Sequence, residues 1–149
     1  MIDAATETTA LTREARHLTL LMGSCVVAFG TTTLSFLFAP AIVGRNLATI
    51  GEWAGFANTA PPGVGGPWVP LSVSMMVMIT VICALAWRDV RRYRVLIPIL
   101  LVSKAASSAV GLGTWLLHSH GFHDLVVFLT DFPILVLCAV MYWRAAPRR

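Results

Sequence analysis

The chain has 149 residues, of which 57% are hydrophobic and 12% charged, with a mean hydropathy of +0.77, whereas soluble domains carry about 25% charged residues. That balance excludes a disordered chain, a disulfide-stapled secreted domain and a two-domain soluble enzyme. The net charge of +4 does not indicate nucleic-acid binding, because the basic residues flank apolar runs instead of collecting on one patch.

Crossing a bilayer takes about 20 apolar helical residues, and four runs qualify. The segment 1–17 reads as a polar tail whose first dozen residues are flexible or lie on a surface. The first run, 18–43, has no ionisable group except Cys25. At about 1.5 Å per residue it exceeds the bilayer thickness, so it must tilt or end early, and Pro40 is the natural stop. The run is too long, and its leader too acidic with Asp3, Glu7 and Glu14, for a cleaved secretory signal.

The 44–67 connection is the longest. Its first half reads as a short helix lying at the headgroup level, with Leu47, Ile50, Ala54 and Ala57 as its apolar face, and 60–67 is rich in turn-forming Pro and Gly. The second run, 68–87, is uncharged. The third and fourth, 95–117 and 125–143, contain one charge each, Lys104 and Asp131, and 144–149 is a basic tail. Because lipid offers backbone groups no hydrogen-bond partners, all four runs are expected to be helices, packed as an up-down-up-down bundle.

Nine arginines, at 13, 16, 88, 91, 92, 94, 144, 148 and 149, fall on one side of this topology and Arg45 alone on the other. The positive-inside rule then places both termini and the 88–94 connection in the cytoplasm of a cell bearing this protein in its inner or plasma membrane, with the 44–67 and 118–124 connections outside. Trp53, Trp68, Trp87, Tyr93, Trp115, Tyr142 and Trp143 stand near run ends, where amphipathic rings meet headgroups.

In the third run Ser103, Ser107 and Gly111 recur every four residues and make a face that another helix can approach closely, by preference within the same chain. Phe29, Phe36, Phe38, Met75, Met76 and Met78 give the first two runs bulkier faces, expected to meet lipid or neighbouring subunits.

A charge inside a spanning helix costs several kcal/mol unless paired, hydrated or neutralised. Counted from the cytoplasmic ends of their runs, Lys104 lies about 14 Å deep and Asp131 about 18 Å. A lysine can bridge that offset, although counting from the outer ends, and the lean of each side chain toward its own N-terminus, set the two apart. Ser107, Ser108 and Thr32, with Thr31, Thr33, Ser74 and Thr130, fall at similar heights, so a polar layer is expected near mid-membrane. Pro133 frees the Leu129 carbonyl beside it. Two readings stand: a hydrogen-bonded clasp that fixes helix register, or a site for a proton, ion or lipid headgroup.

His118, His120 and His123 cluster with Asp124 in the second outer connection, and the three histidines with Glu52 are candidate metal ligands. Their spacing matches no standard zinc motif, Gly121 suggests a plain turn, and Asp124 suits the first turn of the following helix. Histidine is missing from the middle of every run, which disfavours haem b. Nucleotide and flavin motifs, and those of the common hydrolases, are missing too, which leaves bound lipid as the expected non-protein component. Cys25, Cys83 and Cys138 form no C-x-x-C, which argues against a thiol redox enzyme.

With small connections and no catalytic motif, the chain reads as an accessory or structural subunit that contacts other membrane subunits or itself through its helix faces, and not as an enzyme. The alternative is a small oligomeric transporter or channel using Lys104 and Asp131. A third reading is a quinone- or metal-binding membrane enzyme.

Overall fold

The computed structural model of the chain describes residues 4–56 and 68–145. The 60–67 turn stretch, Ala57, Arg148 and Arg149 lie outside them. Five α-helices account for nearly all the described residues: α1 (Ala4–Phe38), α2 (Pro40–Trp53), α3 (Trp68–Arg88), α4 (Leu96–Thr114) and α5 (Phe122–Arg144). A π-helical turn, Trp115–Ser119, extends α4. Four stretches are long and apolar enough to cross a membrane: Arg13–Phe38, Val69–Arg88, Leu96–His118 and Phe122–Arg144.

The first run divides where its proline requires. Ala39 leaves the helical region, at φ −143° and ψ 47°, because a residue preceding proline is pushed out of it, and Pro40 then begins α2 at a position where no N–H is needed. The break resolves the excess length of the run. α1 itself reaches back to Ala4, well into the segment read as a tail. α2 covers most of the segment assigned to a headgroup-level helix, but it buries Gly44 and Gly51, while Ile50 is 53% exposed and Ala54 is exposed as well. Ile50 and Ala54 thus point away from the bundle, on a different side of α2 from its buried glycines. Glycines let α2 sit close to its neighbours, and a Leu or Ile there would hold it away. α2 closes through Gly55, at φ 83°, and Phe56, whose ring packs 5.1 Å from that of Phe122 at the start of α5.

Short connections set the order of the bundle. Asp89 Oδ1 accepts hydrogen bonds from the backbone N–H groups of Arg91 (3.1 Å) and Arg92 (3.0 Å), which tightens the turn between α3 and α4. Arg94 closes the same end. Its guanidinium donates to the carbonyls of Ala145 (2.6 Å) and Tyr142 (2.9 Å) and lies 4.7 Å from the Tyr142 ring. A cation is thereby fixed on carbonyls that α5 leaves unpaired at its negative end. At the opposite end His120 (φ 46°) and extended Gly121 turn the chain into α5, and Asp124 lies in the first turn of that helix, as expected.

α1 runs antiparallel to α3 and α4 antiparallel to α5. These two pairs pack extensively, whereas contacts between them, α3 with α4 and α1 with α5, are sparse. α1 and α4 stand on a diagonal. The apolar core occupies the half of the bundle nearest the arginine-rich 89–95 connection. It is built from Leu18, Met22, Cys25 and Phe29 on α1, Ile79, Cys83 and Ala86 on α3, Ile97 and Leu100 on α4, and Cys138 on α5. Spacings of three and four keep each set on one helix face. Phe29, expected on an outward face, is only 6% exposed, whereas Phe38 (78%), Met75 and Met78 do face outward and Met76 packs against the core.

Candidate functional site

The buried face of α4 is Ile97, Leu100, Lys104, Ser108 and Gly111. Helical periodicity therefore places Lys104 on the interior stripe, where it is 2% exposed and the largest fully buried side chain of the chain's described part. Across the α4–α5 contact its Nζ meets Asp131 Oδ1 at 2.7 Å. The length of a lysine covers the axial offset that backbone depth alone leaves open. Helix approach makes this possible. A Cβ on Gly111 would stand 2.9 Å from the Asp124 carbonyl and 3.3 Å from the Phe128 nitrogen, so α4 and α5 are nearly in backbone contact two turns away.

The pair is further satisfied on both sides. Ser107 Oγ hydrogen-bonds Asp131 Oδ2 and lies 3.2 Å from the Lys104 carbonyl. Lys104 Nζ also sits 4.3 Å from the centroid of the Phe29 ring, which reaches across the diagonal from α1. Cation–π attraction is strongest where water is excluded, so Phe29 compensates part of the ammonium's lost hydration. The side chain of Asp131 is 13% exposed, so the carboxylate is the more accessible member of the pair.

The remaining hydroxyls do not join this clasp. Thr32 donates to the Ala28 carbonyl (2.9 Å) and Thr130 to the Val126 carbonyl (2.8 Å), each one turn back along its own helix. Of Thr31, Thr32 and Thr33, all at the height of the expected polar layer, only Thr33 is buried, and it donates to the Phe29 carbonyl (2.7 Å). One residue along a helix turns a side chain by about 100°. Ser108 is buried at 4%, yet its Oγ has no hydrogen-bond partner among the described residues. Of the expected packing stripe, Ser107 and Gly111 face α5, and Ser103 is half-buried.

The structure does not gather His118, His120, His123 and Glu52 into a metal site. Among the described residues no group of three or more His, Cys, Asp or Glu has that arrangement. His120 sets its ring edge-on to Trp115 at 5.8 Å, His123 Nε2 lies 3.4 Å from Asp124 Oδ2, and Glu52 is exposed. His120 and His123 thus have local neighbours instead of a common centre, and His118 is exposed.

Sequence spacing misses two features of the site. One is Phe29, a phenylalanine indistinguishable in sequence from those facing outward. The other is that Cys25, Cys83 and Cys138, from three different helices, are all buried in the same apolar core. Only the fold brings these positions together.

No protein-family model matches the chain, and neither a curated protein nor a solved structure shows significant similarity to it.

Proposed function

We propose that the chain is an integral membrane protein of the inner or plasma membrane, with both termini and the 89–95 connection in the cytoplasm, acting as an accessory or structural subunit of a larger membrane assembly. The observation that carries this reading is the internal closure of its charges. Lys104 and Asp131 neutralise each other inside the bundle, and no more than 28% of any spanning stretch is buried within the chain. Broad uncharged helix faces remain for lipid and for partner helices, whose association in a membrane depends on close packing and not on water exclusion. Copurification in mild detergent, with crosslinking in native membranes, tests the reading. A stoichiometric membrane partner is expected, and a lone monodisperse species without one refutes it. Single cysteines replacing Arg91 and His120 test the orientation: labelling from opposite faces is expected, and labelling from the same face refutes it.

A small oligomeric transporter is the second reading, favoured by two features of the same layer. Asp131 keeps partial exposure, and the Ser108 hydroxyl has hydrogen-bonding capacity that the described residues leave unused. Combining Lys104→Met with Asp131→Asn keeps the layer neutral. Unchanged liposome flux in that variant removes this reading.

A further inference from the structure

At the 89–95 end of the bundle Arg13, Arg16, Arg88, Arg91, Arg92 and Arg144 are exposed, and none of them forms an ion pair among the described residues. Arg94 at the same end is occupied by the carbonyls of α5. The nearest acids do not serve the exposed six. Asp89 Oδ1 accepts from the backbone N–H groups of the turn, and Glu14 stands two residues from Arg16, about 200° away around α1. A guanidinium left without a carboxylate offers a planar fork of donors that matches phosphate.

Three of these arginines frame a built feature of the α1–α3 contact. A Cβ on Gly23 would stand 2.9 Å from Trp87 Nε1 and 3.1 and 3.2 Å from its Cδ1 and Cε2, so the indole lies in the notch this glycine leaves, while Trp87 remains 52% exposed. The antiparallel register is the same seven residues away, where Gly30 faces Thr80 at 3.9 Å. Extended the other way, it puts Arg88 at the height of Met22, with Arg16 about 9 Å further along α1. The tight turn keeps Arg91 close behind Arg88. On the opposite side of the indole, toward mid-membrane, Val27 of α1 and Val81 of α3 are 69% and 50% exposed and border the same crevice, to which Gly30 adds no side chain.

We propose that this crevice binds one anionic phospholipid, with its phosphate on Arg16, Arg88 and Arg91, its ester region against the Trp87 indole and an acyl chain along Val27 and Val81. Charge, amphipathic ring and hydrocarbon follow one another along the bundle in the order in which a lipid presents their counterparts. An acidic head is selected over a zwitterionic one, because three cations without a carboxylate attract the phosphate but repel a choline ammonium. Each arginine close to a membrane surface contributes about fivefold to the binding of anionic headgroups. The inference rests on the membrane setting proposed above, which the labelling experiment tests separately.

The full-length protein in mild detergent is given equal amounts of phosphatidylglycerol and phosphatidylcholine, and the retained lipid is counted by native mass spectrometry. One phosphatidylglycerol per chain should be retained, enriched at least about tenfold over phosphatidylcholine. Combining Arg16→Gln, Arg88→Gln and Arg91→Gln should bring the enrichment to within about twofold. Gly23→Ala, whose Cβ drives the indole from its notch, should lower it as well, whereas Arg144→Gln, at the end of α5, should leave it unchanged. Equal retention of the two lipids or no retained lipid in the wild type overturns the proposal. So does displacement of the lipid by inorganic phosphate at the same concentration, or a loss in Arg144→Gln as large as in the triple variant, which would mark a diffuse belt of charge instead of a site. The wild-type result decides even if a variant fails to fold.

Discussion

Removing one member of the Lys104–Asp131 pair strands the other in the bundle interior. Asp131→Asn leaves an ammonium that is 2% exposed, with an amide oxygen and the Phe29 ring as its remaining neighbours. Lys104→Met leaves a carboxylate that is 13% exposed and still bonded to Ser107. Breaking a buried pair in this way costs about 3–5 kcal/mol, and a lone charge at the centre of a spanning helix about 2.5–3.5 kcal/mol. The exposure and remaining hydrogen bond of Asp131 put Lys104→Met near the bottom of that range, about 2–3 kcal/mol, and Asp131→Asn nearer about 3–4 kcal/mol. The double variant carries no stranded charge and should cost about 1–2 kcal/mol, so the coupling between the sites is about 3–6 kcal/mol. Unfolding the four proteins in mixed micelles, followed by circular dichroism, measures the cycle. Single effects that add to within about 0.5 kcal/mol would refute an energetically coupled pair.

Gly111→Ala should destabilise the protein by about 1–3 kcal/mol, because its Cβ would meet α5 backbone that cannot yield. Gly113→Ala, where a Cβ meets nothing within 4 Å, should be neutral or slightly stabilising, since alanine favours helix by up to about 1 kcal/mol; equal losses at the two sites would contradict the α4–α5 packing. Arg94→Ala removes two carbonyl contacts and a ring contact at the end of α5 and should cost about 1–3 kcal/mol, with faster amide exchange over 141–145; unchanged exchange there would show that the cap is idle. Phe29→Leu removes the ring facing Lys104 and should cost about 1–2 kcal/mol. That loss should largely vanish when Lys104 is already Met, and its persistence would assign the effect to packing alone.

Sequence by itself determined the four spanning-length helices, the break at Pro40 and the antiparallel order of the bundle, because each rests on local quantities: run length, proline geometry and connection length. It also singled out Lys104 and Asp131, since a charge within an apolar run stands out whatever the fold. Tertiary structure decided their direct pairing, the role of Phe29, the choice of Thr33 over Thr32 and the burial of three cysteines in one core. Those depend on how helices rotate about their axes and which of them stand side by side. In a chain this apolar, the polar-to-apolar contrast that usually reveals rotation is faint, so identical side chains such as Phe29 and Phe38 acquire opposite environments only when the helices pack.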